Sequence, residues 1–229
     1  MISNKKTFLK GFISIVLFFI VLAVVFSPVF KGHNGLEYLD DLYNSISKGS
    51  AYYIPKVRTE AEGFRDDHIT LLINMADTQT AEQTSLLFKR SGADTEITGD
   101  ELEVSGDFAK ILENCLEDSD LMYKNDGEKL VNKYGYNERQ VLYNWWIACR
   151  EMERDLKRQK KFREAAAVEL LKNKAVETSY NYYKIEPQNI GDKLWVVIFS
   201  LIFYVLYTLW YGFAIMYLFE GWGLQLEGH

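Results

Sequence analysis

Two long stretches without a charged residue constrain this chain more than anything else in it. Gly11 to Phe30 is a run of 20 residues rich in Ile, Val, Leu and Phe, and Leu194 to Phe219 is a run of 26. As helices they extend roughly 30 Å and roughly 39 Å, enough to cross the core of a bilayer, the second with tilt or with its ends among the headgroups. A buried core helix is the competing explanation, but a domain of this size has no core wide enough to enclose two such segments. Trp195, Trp210, Tyr217 and Trp222 include rings where interfacial anchors sit.

The first run follows Lys5, Lys6 and Lys10, as a signal peptide would. It is too long for a signal-peptide core, and Ser27-Pro28 makes a poor cleavage site, so a retained signal anchor is expected. Only Lys31 follows closely, so the positive-inside rule places the N-terminus in the cytoplasm. Lys193, Glu220 and Glu227 run against that orientation, but the first helix usually dominates. The expected layout is an integral plasma (inner) membrane protein of two passes with both termini cytoplasmic. Residues 1–30 hold the N-terminus and first span, 31–192 an extracytoplasmic soluble domain, and 193–229 the second span and a short tail.

Between Lys31 and Lys193 lie 23 Lys and Arg against 30 Asp and Glu, a mildly acidic balance that argues against nucleic acid as a partner. The basic run from Arg150 to Arg163 is interleaved with Glu151, Glu153, Asp155 and Glu164, which reads as a solvated helix face. Cys115 and Cys149 lie in helical patterns beside apolar residues. They are read as buried thiols, with a disulfide open if the domain is extracytoplasmic.

Apolar residues at Leu36, Leu39, Tyr43, Ile46, Tyr53, Val57 and Phe64 keep a near-heptad seam that Gly49 and Pro55 interrupt, so 36–64 is expected as two short helices or one kinked helix. Ile69, Leu71, Ile73 and Met75 alternate as in a strand. Thr80 to Arg90 reads as a helix. Gly99-Asp100 sits between two short β-prone segments and suits a type II′ hairpin. Asp107 can cap a helix from Phe108 to about Tyr123. The expected core positions are Leu71, Ile73, Leu86, Ile97, Val104 and Ile111. The order strand, helix, strand, strand, helix over 68–125 resembles a ferredoxin-like split βαβ unit lacking its last strand. That resemblance concerns fold alone.

Residues 138–184 carry a stripe of Val141, Trp145, Ala148, Cys149, Met152 and Leu156, then a second helical run from Arg163 to Tyr183. The expected class is an α+β membrane protein: two transmembrane helices flanking a mostly helical soluble domain, with 36–64 and 138–184 pairing as a stalk beneath a small βαββα head.

Chemistry is sparse. His33, His68 and His229 have no neighbours in metal-ligand spacing. Asp118 and Asp120 begin like a calcium loop, but Met122 and Tyr123 stand where an oxygen donor and a glycine belong. No phosphate-cradling loop is present. Aromatics cluster at Tyr134, Tyr136, Tyr143, Trp145 and Trp146 and at Tyr180, Tyr182 and Tyr183, and are read as packing.

The sharpest local signal is in the second apolar run. Ser200, Tyr204, Tyr207 and Tyr211 stand at i, i+4, i+7 and i+11, within about 60° of one another on a helix. A hydroxyl facing lipid tails lacks a partner, so this stripe is expected to contact protein. In the first run only Ser14 and Ser27 carry hydroxyls, so a second copy of the chain or another membrane subunit is the expected partner, besides the lipid bilayer. The function expected is a non-catalytic accessory or assembly subunit of a membrane complex, not an enzyme and without a cofactor. The alternative is a ligand-binding membrane sensor that signals through a partner, which the short segment from Glu220 to His229 disfavours by leaving no room for an output domain.

Overall fold

The computed structural model describes residues 2–30 and 32–224. Lys31, Glu227 and His229 lie outside the described residues. The chain divides into two compact units, residues 1–49 with 187–229 and residues Ser50–Glu186.

In the first unit, α1 (Lys5–Val25) and α10 (Ile190–Trp222) are long and apolar enough to cross a membrane, and few of their residues are buried. Asn4 caps α1 by accepting the N–H groups of Lys6 and Thr7, and Asn189 caps α10 at Gly191. Between them lies α2 (Gly35–Ser50). It opens on a capping box. The Asn34 side chain accepts the N–H of Leu36 and Glu37, and Glu37 accepts the N–H of Asn34.

The second unit begins with α3 (Ile54–Ala61), whose start holds Pro55 where no helical N–H is needed. The seam over 36–64 is thus two helices, which fall in different units. A sheet follows, with α4 (Thr78–Arg90) between β1 (His68–Asn74) and β2 (Asp94–Thr98), then β3 (Glu101–Asp107) and α5 (Phe108–Tyr123). The strand order is β1-β3-β2, and β3 is antiparallel to both neighbours. Thr98 pairs with Glu101 across a two-residue loop, with φ at +68° for Gly99 alone, as a type II′ turn requires. The helices α6 (Glu128–Tyr134), α7 (Glu138–Arg158), α8 (Phe162–Leu171) and α9 (Glu177–Tyr182) complete the unit, a π-turn at Lys172–Val176 joining the last two.

Alternation makes one sheet face apolar: Ile69, Leu71, Ile73, Leu102 and Val104 are buried. The core is continuous from there through Phe88, Phe108, Leu112 and Trp145 to Val168 and Ala175. Each large side chain so enclosed contributes about 1.5–3 kcal/mol. Residues 138–184 therefore do not form a stalk separate from the head. The apolar stripe of α7 needs a large apolar partner, and the sheet and α5 supply it.

Two further expectations change. Leu86 is 40% exposed, because α4 turns Ala81, Thr84, Ser85, Leu87 and Phe88 inward. Ile97 is only partly buried, packed at the margin of the core. The run from Arg163 to Tyr183 is helical as expected, continuous from Phe162 to Tyr182 through the π-turn.

Candidate functional site

In the first unit, α1 and α10 pack along a seam of small and aromatic residues. Ser200, Ala214 and Gly221 are buried on α10, and Gly11 and Phe18 on α1. A Cβ at Gly11 would lie 2.6 Å from the backbone nitrogen of Leu218, and one at Gly221 would strike the backbone of Phe8. Small residues permit this close approach, which matters where apolar burial gives helices no driving force to associate.

The hydroxyl stripe is divided by this seam. The Tyr207 hydroxyl donates to the carbonyl of Phe18 at 2.8 Å, and the two rings stack at 4.2 Å. Ser200 donates to the Val197 carbonyl at 2.8 Å, so the 2.7 Å contact between Tyr43 and Ser200 has Tyr43 as donor. Trp210 Nε1 donates to Ser14 Oγ at 2.7 Å. Tyr211 sets its ring against Phe18 at 5.1 Å and stays 43% exposed, while Tyr204 is 69% exposed. Neither the Tyr204 nor the Tyr211 hydroxyl has a hydrogen-bond partner among the described residues. Gly212, about 100° round the helix from Tyr211, has nothing within 4 Å of where a Cβ would stand. The first apolar helix thus takes Tyr207, using a backbone carbonyl that a survey of side-chain hydroxyls omits.

The second unit hides its most polar cluster in the core. Asp118 on α5 is 0% exposed. It accepts from Lys133 Nζ at 2.7 Å, from the Tyr134 hydroxyl at 2.6 Å and from Trp145 Nε1 at 2.8 Å. Asn114, one turn earlier, accepts from Lys133 at 2.6 Å and donates to the Leu87 carbonyl at 2.9 Å. Burial holds the Asp118 carboxyl above the ordinary carboxylate range, against the pull of Lys133 and the two ring donors. Burial, with the Asp118 charge beside it, pushes the Tyr134 hydroxyl far up, and burial takes Tyr136 to about 12. With three donors on its oxygens, Asp118 is a structural pin that ties α5, α6 and α7 together, rather than a base open to a substrate. Sequence reasoning met Asp118 only as a failed calcium ligand.

The other groups give little chemistry. Cys115 and Cys149 are buried free thiols on α5 and α7, and burial beside Cys149 pushes the Cys115 thiol well up. A groove of about 470 Å³ runs past Arg58, Arg65 and Lys110. Each of these cations faces an acid of the same groove: Glu113 at 2.9 Å, Glu62 at 3.7 Å and Asp107 at 3.6 Å. His68 meets Ser105 at 3.1 Å. The basic residues of α7 pair along their own helix, Arg154 with Glu151, Lys157 with Glu153 and Arg158 with Asp155. Among the described residues no group of three or more His, Cys, Asp or Glu side chains is placed to hold a metal ion.

Fold and site define a mostly helical chain with a three-stranded antiparallel sheet and two candidate membrane-spanning helices. No family model, no curated protein and no solved structure matches it.

Proposed function

We propose that this chain is a two-pass, non-catalytic accessory or assembly subunit of a membrane protein complex. On this reading α1 and α10 span the plasma (inner) membrane, both termini are cytoplasmic, and the domain over 31–192 is an extracytoplasmic interaction module. Exposed Trp195 and Trp222 stand 27 residues apart, roughly 40 Å along a helix, the distance between the two headgroup layers. Lys5, Lys6 and Lys10 are exposed at the start of α1, where the positive-inside rule puts the cytoplasm. The ferredoxin-like reading of 68–125 is supported by the strand order β1-β3-β2 and by α4 and α5.

One observation carries the subunit reading. Tyr204 is 69% exposed and Tyr211, its ring against Phe18, is 43% exposed, and neither hydroxyl has a partner among the described residues. A hydroxyl in hydrocarbon is costly until a second helix supplies a partner. That helix belongs to a second copy or to another membrane subunit.

The test is the double change Tyr204→Phe with Tyr211→Phe in the full chain, purified in mild detergent. At about 0.6 kcal/mol for each interhelical hydrogen bond, association should weaken roughly eight-fold. Sedimentation and co-purification read the outcome. A parent chain that is monomeric and bare of partners, or a double variant that keeps them all, removes the reading's support.

A further inference from the structure

The sheet has one face against the core and one face open. On the open face Asp94, Glu96, Glu101 and Glu103 are all exposed, and β1, β2 and β3 contain no Lys or Arg. Glu96 and Glu103 are partners across β2 and β3, and Leu72 lies opposite Glu103 on β1. The three form one row across the sheet. Like charges directly opposite each other destabilise a sheet, and none of these four carboxylates has an ion-pair partner among the described residues. Elsewhere in this unit acids such as Glu151, Glu153 and Asp155 sit against a cation of their own helix. At the β1 end of that row Leu72 is 39% exposed.

We propose that this open face, centred on the row Leu72–Glu103–Glu96, docks a segment of a partner protein that carries Lys or Arg next to an apolar residue. The inference rests on the accessory-subunit reading and names the chemistry of the partner. Charge complementarity selects the occupant: a cationic side chain relieves the Glu96–Glu103 opposition, and an apolar neighbour covers Leu72. A phosphate-bearing partner is repelled. A bound metal ion needs converging oxygen ligands, whereas these carboxylates stand in open rows with no metal-holding group among the described residues. The partner lies on the face instead of adding a strand beside β1, because α7 closes that edge with Asp155 on the Leu72 N–H and Gln159 on the Thr70 carbonyl.

The experiment uses the full chain in nanodiscs of uncharged lipid and two fluorescent pentapeptides, one alternating Lys with Leu and one alternating Glu with Leu. The Lys-Leu peptide should bind saturably, one per chain, after subtraction of empty discs. Glu96→Gln with Glu103→Gln should weaken it at least tenfold, and Leu72→Ser several-fold. Glu60→Gln with Glu169→Gln, exposed acids away from the sheet, should leave it unchanged. The proposal is overturned by absence of saturable binding, by equal binding of the Glu-Leu peptide, or by an equal loss in the Glu60 and Glu169 variant. The two readings separate cleanly. A chain that self-associates through Tyr204 and Tyr211 yet ignores the peptide defeats the docking face alone. A monomeric chain that binds the peptide defeats the span contact alone.

Discussion

Asp155, on α7, accepts the backbone N–H of Leu72 in β1 at 3.1 Å. Gln159, one turn on, donates to the Thr70 carbonyl at 2.8 Å. An outer strand presents unpaired backbone groups that invite another chain. Here a helix answers two of them with side chains, where the ferredoxin-like pattern would put its last strand. Asp155→Ala should cost about 2 kcal/mol, because it strands a half-buried N–H and releases Arg158 and Gln159. Asp155→Asn keeps an acceptor and should recover most of the loss. Urea unfolding of the three chains decides it, and an unchanged midpoint for the Ala variant would falsify the edge-capping role.

Asp118→Asn should be the more damaging change, by about 3 kcal/mol, since an amide donor then faces Lys133 and the charge pair is broken. Its pH dependence has a definite sign. Burial raises the folded carboxyl above its ordinary value, so the folded state holds this proton more tightly than the unfolded chain. The contribution of Asp118 is full below the ordinary carboxylate value and declines as pH rises through the raised folded value. The gap in unfolding free energy between parent and variant should therefore be wider near about pH 4 than near about pH 7. A gap that stays flat, or widens toward neutrality, contradicts the desolvation argument.

The hairpin at Gly99-Asp100 is an exposed loop tip that tolerates insertion. A reporter active only outside the cytoplasm, placed there, should be active. Activity of a cytoplasm-only reporter at the same site would reverse the orientation inferred from Lys5, Lys6 and Lys10.

Gly11→Ile should force α1 from α10, at a cost of about 1–3 kcal/mol, because the new side chain meets the backbone of Leu218. Cysteines at Ser14→Cys and Trp210→Cys should be bridged by a short bifunctional thiol reagent that spans the room left by the indole, and at least several-fold more slowly with Gly11→Ile. Gly212→Ile, which points into open space, should leave that cross-link intact. Identical behaviour of the two isoleucine variants would show that the seam is not where the small residues place it.

Much of this architecture was legible because it follows from simple periodicities. Uncharged runs mark α1 and α10, alternation at Ile69, Leu71 and Ile73 marks β1, and Gly99-Asp100 fixes the turn through a backbone angle that favours glycine. What escaped depends on atoms that carry no pattern. Tyr207 is satisfied by the backbone carbonyl of Phe18, and carbonyls are the same at every position. Asp118 is held by residues 15 to 27 positions away in sequence, and a buried carboxylate reads in sequence like an exposed one. Leu86 was placed inward because Leu is apolar, whereas the turn of α4 gave the inward positions to Leu87 and Phe88. Of the hydroxyl stripe, spacing alone identified the face but not that Tyr207 is satisfied within the chain while the Tyr204 and Tyr211 hydroxyls have no partner among the described residues.

The seam between α1 and α10 is fixed at several heights. Asn4 donates to the Gly221 carbonyl at 2.9 Å near one end, Ser14 meets Trp210 further along, and Phe18 meets Tyr207 beyond that. Helices locked in this way cannot slide past each other like a piston in its sleeve: a shift of even half a turn would break all three links and drive Gly11 and Gly221 off the backbones they touch. If the pair spans a bilayer, a message crosses it only by rotation or tilt of the two helices as one body.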